Sequence, residues 1–306
     1  MVDTQVRPDV SSIRTSLTQI KPTRGMKAFN VINVTLLSAL LVVTVMPFIN
    51  LIAIAFSSDN AVRMGHVTFW PVGANLTTFH AVLTDSWFWQ GYWNTLRYTV
   101  VGTTFAMILT TTFAYALSRK YLKGKNFFIG IAVFTMFFGG GIIPNFILIR
   151  ELGMRNTMWA IVIPGALSVF NMLVMKSFFE NFPTELEEAG QIDGLSQYGV
   201  FFRIVLPLSK AILATMTLFY GVGAWNSWFG AFIYLDHRDV FPVMMYLRNL
   251  IVSSQDPQLV ASGDVSNIGR NIGAVAMLLT TLPIMCVYPF IQKYFVSGVM
   301  LGSVKG

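Results

Sequence analysis

Charge is scarce in this sequence. Of its 306 residues only 11% are Asp, Glu, Lys or Arg, while 54% are hydrophobic. A soluble globular domain carries roughly 25% charged residues, so the shortfall points to a chain whose solvent is largely lipid. Cysteine is nearly missing as well. Cys286 stands alone, which excludes an intrachain disulfide and a cysteine-built metal site; within an apolar stretch it reads as a small buried side chain. The three histidines, His66, His80 and His237, fall in connections without ligand-like spacing, so no metal site is expected. No G-x-x-x-x-G-K-[ST] run occurs, and without that phosphate-cradling loop the chain does not hold ATP by the usual means. The net charge of +7 matters for where the cations sit, not as a sign of nucleic-acid binding.

Long apolar runs are what the chain has instead. Six of them reach the roughly 20 residues a bilayer crossing needs: Phe29–Phe56, Thr95–Leu117, Phe127–Ile149, Trp159–Phe179, Ala211–Leu235 and Ile272–Phe295. The first is too long for the apolar core of a signal peptide, and no small-residue cleavage site follows it. Arg7, Arg14, Lys21, Arg24 and Lys27 precede the first run, and Arg119, Lys120, Lys123 and Lys125 fill the second connection without an acid. The first connection, 57–93, has Arg63 as its one basic residue beside Trp70, Trp87, Trp89, Tyr92 and Trp93, a composition that suits an outer interfacial belt. Cations collect on the cytoplasmic side of short loops. The expected fold is therefore an all-α membrane protein with six transmembrane helices and both termini inside. Residues 1–28 form a cytoplasmic tail, 29–296 the membrane domain and 297–306 a second cytoplasmic tail.

No Asp or Glu lies in any of the six runs. Ion-coupled carriers generally place a carboxylate or histidine chain at membrane depth, so an ion-coupled carrier or channel is the weaker reading. An intramembrane enzyme needs a nucleophile–base pair, a carboxylate pair or a metal cluster, and the runs supply none. Gly139-Gly140-Gly141 with Pro144, and Pro47, Pro164, Pro283 and Pro289, mark breaks that serve either close packing or a moving cavity wall. Neutral groups at membrane depth are Asn145, Asn171, Tyr220, Trp225, Asn226 and Trp228. Amides and aromatic faces suit a sugar, and ordinary interhelical contacts use them too. The Trp225–Trp228 cluster is the best of these candidates.

The loop at about 181–208 has a different character. It carries Glu185, Glu187, Glu188 and Asp193. Thr184 precedes Glu187 by three, which predicts a capping box with Thr184 as N-cap. Acids in the first turn suit the helix dipole. Leu186, Ala189 and Ile192 recur at helical spacing as an apolar stripe, and Gly194 sits where a left-handed C-terminal residue belongs. A helix of about nine residues follows, then a second at about 196–205 that Leu206-Pro207 is expected to stop. Gly190 and Gly194 leave bare positions where another backbone can come close. A loop that only closed its own bundle would explain the caps but not so long a structured excursion, so a soluble partner is expected here.

Glu188-Ala189-Gly190, then Gly194, Ile204 and Leu206-Pro207, resembles the cytoplasmic coupling motif of ABC importer permeases at every interval. Gly190 stands where the family has alanine. Gly139–Pro144, Pro164–Asn171, Trp225–Phe229 and the tail Val299–Gly306 extend the likeness to the carbohydrate-uptake branch, of the LplC type. The resemblance implies a bacterial cytoplasmic-membrane permease that translocates an oligosaccharide. It also implies a second homologous permease, two ATPase subunits that hold ATP and Mg, and an extracytoplasmic sugar-binding protein. In that arrangement Glu187, Glu188, Ala189, Gly190, Asp193, Gly194, Ile204, Leu206 and Pro207 would form the ATPase-coupling element.

Overall fold

The computed structural model describes residues 23–255 and 271–303. Arg7, Arg14 and Lys21 of the first tail, residues 256–270 and the last three residues lie outside the described residues. Among those described, every regular element is a helix.

The chain divides into two units, Met1–Leu51 and Ile52–Gly306. The first is dominated by α1 (Arg24–Ala55), which runs unbroken past Pro47. Its leucines and β-branched residues face outward, as at Val31, Leu40 and Val43. That pattern belongs to a helix whose solvent is apolar.

The second unit opens with α2 (Asp59–Arg63) and α3 (Thr77–Thr84), then α4 (Ser86–Ser118). Next come α5 (Lys125–Phe137), α6 (Ile142–Glu151), α7 (Trp159–Val162) and α8 (Val169–Glu180). The acidic loop forms α9 (Thr184–Ile192), α10 (Gln197–Val200), a π-helical turn (Phe201–Val205) and α11 (Leu206–Leu208). The chain continues as α12 (Lys210–Trp225), α13 (Phe229–Tyr234), a 3-10 turn (Arg238–Val240), α14 (Val243–Gln255) and α15 (Ile272–Ser303).

Helix α4 is the hub, packing on α8, α12 and α14. Asp85 caps its start by accepting the Trp87 N–H at 2.9 Å. Gly91 lies so close to α14 that a methyl there would sit 3.2 Å from the Val243 backbone. One turn on, the Asn94 amide donates to the Asp239 and Phe241 carbonyls, the Thr95 hydroxyl accepts the Val243 N–H, and the Tyr98 hydroxyl donates to Val240 O at 2.8 Å. Polar side chains of α4 thus satisfy backbone groups that the 3-10 turn leaves open.

Among the described residues three helices, α1, α4 and the first part of α15, are long and apolar enough to cross a membrane, and counting two bent pairs as single spans gives five. The expected third run is not one straight helix. Gly141, at φ +86, separates α5 from α6, whose axes differ by 112°. The fourth run also breaks, between α7 and α8 around Pro164-Gly165, and the fifth breaks at Asn226–Trp228. In each case glycine, proline or an exposed amide interrupts the helical ladder where the apolar run continues, so hydropathy alone does not register the break.

A core cluster joins Ala114 and Leu117 of α4, Met172, Met175 and Phe179 of α8, Met216 of α12, and Val200, Phe201 and Val205 of the acidic loop. The second half of that loop is therefore part of the core. At another corner of the unit the turn after α6 is tied to the turn after α13. Asn156, at φ +60, donates its side-chain amide to Asp236 Oδ2 at 3.0 Å and accepts the Asp236 N–H at 2.6 Å, while Arg155 donates to Asp236 Oδ1 at 2.9 Å.

Candidate functional site

The acidic loop is held from its inner face by a buried ion pair. Arg119 is the first residue past α4 and is 8% exposed; Glu187 on α9 is 7% exposed. One guanidinium nitrogen of Arg119 donates to both oxygens of Glu187. The other terminal nitrogen donates to Phe179 O at 2.7 Å, and Nε donates to Ser118 Oγ at 2.9 Å. The Tyr115 ring lies under the guanidinium, 4.5 Å from its carbon to the ring centroid. A charge taken out of water is tolerated only when paired and hydrogen-bonded in this way.

This pair corrects the predicted capping box. Helix α9 starts at Thr184 itself, with Pro183 before it and no side-chain cap. Glu187 cannot fold back onto the helix start because its carboxylate is committed to Arg119. The same geometry turns Glu187 away from the exposed face of α9. Gly190, one turn later, shares the inner face. A methyl there would come within 2.5 Å of Ile204 Cδ1. The tip of Ile204 thus fills the volume an alanine would use, and the departure from the motif is matched within the loop.

The C-terminal end of α9 is as expected. Gly194 has φ +83, the Leu195 N–H reaches Gly190 O at 2.9 Å and the Gly194 N–H reaches Gln191 O at 3.0 Å, the paired closure of a helix with a left-handed end. The outer face carries the apolar stripe. Leu186 is 42% exposed, Ile192 is 86% exposed and Ala189 is exposed, flanked by the exposed acids Glu185, Glu188 and Asp193. Helix α9 is therefore amphipathic in reverse, with a carboxylate inside and aliphatic side chains outside. Covering an aliphatic side chain of this size is worth roughly 1.5–3 kcal/mol.

Leu206-Pro207 does not stop the second helix. Pro207 follows the π-helical turn directly, and the helical backbone continues through it to Leu208. The break comes at Ser209, which is fully buried and donates its hydroxyl to Val205 O at 2.7 Å, and the next axis turns by 81°. Leu206 is half-buried and Pro207 is exposed.

A cavity of about 340 Å³ lies among α4, α7, α8 and α12. Its polar lining comes from Tyr98, Ser168, Asn171, Tyr220 and Ser227, with Gly102, Ala106 and Gly165 giving it room, and no lining residue is charged. The Tyr220 hydroxyl accepts the Ser168 N–H at 3.0 Å and shares a 2.6 Å bond with the Thr110 hydroxyl. Thr99 and Thr103, also on α4, have buried hydroxyls with no hydrogen-bond partner among the described residues. A neutral pocket of amides and hydroxyls suits a polyhydroxylated solute better than an ion.

The model of the family described as "Binding-protein-dependent transport system inner membrane component" matches residues 105–300, a span that holds both the ion pair and the acidic loop. This chain belongs to that family. The permease is 36% identical over 288 residues to protein LplC of Bacillus subtilis (strain 168), covering 93% of this chain and 97% of that one. It is also 36% identical over 271 residues to the polygalacturonan/rhamnogalacturonan transport system permease protein YtcP of the same organism, covering 86% and 93%. Among solved structures it resembles a chain of a bacterial ABC transporter involved in the import of the acidic polysaccharide alginate. That match has a TM-score of 0.82 and 32% identity, and it covers 89% of this chain and 98% of that chain. Permeases of this family are transport components, with ATP hydrolysed by a separate subunit. The ion-coupled reading finds no support among these relatives.

The permease brings together only two of its six predicted pathway residues, Asn171 and Tyr220, which share the cavity. Trp225 lies in the core instead: its indole N–H donates to Thr280 O at 3.0 Å and its ring meets Tyr92 edge-on at 5.5 Å. Asn226 and Asn145 are exposed beside helix breaks. Trp228 is partly exposed, with the Arg248 guanidinium 5.3 Å from its ring. Sequence reasoning missed Arg119, Tyr98, Ser168 and Ser227. Arg119 was counted as one cation of a topogenic cluster. Its distinguishing mark is that it is the first cation after the apolar run and the one arginine among lysines, and only a guanidinium has the fork that serves three acceptors.

Proposed function

We propose that this chain is one of the two permease subunits of an ATP-driven importer of the bacterial cytoplasmic membrane, and that its solute is an oligosaccharide delivered by an extracytoplasmic binding protein. We assign six crossings to α1, α4, the bent pair α5–α6, α7–α8, α12–α13 and α15, with both termini inside, on the six apolar runs and the placing of the cations. The observation that carries the reading is the reversed amphipathicity of α9. A helix anchored from within by Glu187 and Gly190 and offering Leu186, Ala189, Ile192 and acids outward is built to be covered by another protein. Glu188, Asp193 and the Gly194 end lie on that offered surface, which an ATPase subunit would cover. Ile204, Leu206 and Pro207 stand behind it, toward the core and the bend into α12.

The neutral cavity holding Asn171 and Tyr220 supports a sugar. Relatives named for polygalacturonan and alginate favour an acidic glycan fragment, which a screen of the cognate binding protein against uronic and neutral oligosaccharides would decide. The coupling surface is tested by Ile192→Glu. We expect an unchanged melting temperature and at least a 10-fold drop in the ATPase recovered with the permease on purification. Full recovery of the ATPase with that variant would remove α9 from the interface.

A further inference from the structure

We infer that Arg119 is the positioning residue that passes the motion of α9 to α4 and so to the cavity; the inference rests on the importer reading above. Helix α9 is continuous in sequence with α8 before it and with the segment leading to α12 after it, and its backbone packs mainly on residues 197–205. It has no chain connection to α4, which lies 68 positions away at Arg119. Among the described hydrogen bonds and ion pairs, Arg119 with Glu187 is the side-chain link between α9 and α4.

The link is stiff. Its three guanidinium nitrogens are directed to three different elements: Ser118 at the end of α4, Phe179 near the end of α8, and Glu187 on α9. The Tyr115 ring closes one face, and the hydroxyl of Ser118 is itself fixed by donating to Tyr115 O at 2.7 Å. Sliding α9 against α4 would strip a buried guanidinium of its acceptors, and in a low-dielectric site nothing replaces them. The two elements therefore move as one body.

The far reach of that body is the cavity. Helix α4 contributes Tyr98, Gly102 and Ala106 to its wall, and α8 begins beside Ser168 and Asn171. From Ser118 back to Tyr98 is 20 residues of unbroken helix, a lever of about 30 Å at 1.5 Å per residue. A push on the exposed face of α9 thus arrives at the polar wall of the cavity through a rigid rod rather than through the loop alone.

The test uses the complete importer in proteoliposomes, in a Cys286→Ser background with spin labels at Gln191 and Phe113, both exposed. In the parent the distance between the labels stays constant to about 2 Å between nucleotide-free and ATP-trapped states, while distances from either label to the ATPase change. In Arg119→Gln/Glu187→Gln, which leaves no unpaired buried charge, the distance becomes state-dependent. The ATPase still co-purifies with the double variant, its stimulation by the binding protein is lost, and solute taken up per ATP falls about 10-fold. A state-dependent distance in the parent, or unchanged uptake per ATP in the double variant, overturns the inference. Loss of the ATPase from the double-variant complex also overturns it, because Glu187 would then be a docking residue. Failure of the importer reading would look different: the parent itself would show no ATP-dependent uptake.

Discussion

Two arginine–carboxylate clamps tie distant parts of the second unit, and they are built in opposite ways. Arg119 with Glu187 is buried, about 9–10% exposed at the side chains, and spends every guanidinium nitrogen on protein acceptors. Arg155 with Asp236 is open, with side chains 42% and 46% exposed, and shares its carboxylate with Asn156. A buried pair is unscreened and unforgiving: losing one partner strands a charge. An exposed pair is worth little and fades with salt. The first kind suits a joint that must hold its geometry under load. The second suits a surface latch whose register is set mainly by the backbone, here by Asn156 at positive φ and its reciprocal bonds to Asp236.

The comparison breaks most decisively at the inner clamp. Glu187→Ala leaves Arg119 buried without its counter-charge and is expected to lower stability by about 3–5 kcal/mol, read as a large fall in melting temperature in detergent that added salt does not reverse. A loss under 1 kcal/mol would place the pair in water and erase the contrast. Gly190→Val tests the other half of the inner face. The added carbons meet Ile204 Cδ1, which a methyl alone would approach to 2.5 Å, and overpacking of this kind costs about 1–3 kcal/mol. Gly190→Ala, for which only the Ile204 tip must turn, should keep most of the stability, and equal losses for the two would show that Ile204 cannot give way.

The smallest effect belongs to the outer clamp. The Asn156 amide, with Arg155 behind it, holds the Asp236 carboxyl below its ordinary value near 3.8. A carboxyl depressed on folding stabilises above its unfolded pKa and loses that contribution as pH falls through the folded one. Asp236→Asn should therefore cost no more than the ~0–1 kcal/mol of an exposed pair. The difference in melting temperature should begin to shrink as pH falls below the ordinary value of 3.8 and vanish once pH has passed the lower folded-state value; high salt should shrink the ion-pair part of it. A difference that persists under both conditions would make the latch structural in its own right.

Much of this was legible in the chain. The left-handed end at Gly194 and a helix of about nine residues before it follow from local chemistry, because a helix end of this kind is decided within a few residues; the capping box at Thr184 does not form, because Glu187 is taken by a distant arginine. The apolar runs marked where helices lie. They could not mark where helices break, since Gly139–Gly141 and Asn226–Trp228 interrupt hydrogen bonding without lowering hydropathy enough to end a run. The cavity was half legible. Asn171 and Tyr220 were found by their polarity at depth, whereas Trp225 has the same signature and spends it on Thr280. Which face of a helix a residue joins depends on partners far away in sequence.

The sequence by itself determined that this chain is built for an apolar solvent, carries an acidic helical excursion ending at a left-handed glycine and belongs with importer permeases, because composition, periodicity and motif spacing are local properties. Only the tertiary structure decided the orientation of α9. In the sequence Glu185, Glu187 and Glu188 are alike as first-turn acids; the fold turned Glu187 inward because Arg119, 68 positions earlier, offered a buried fork that only a carboxylate could fill.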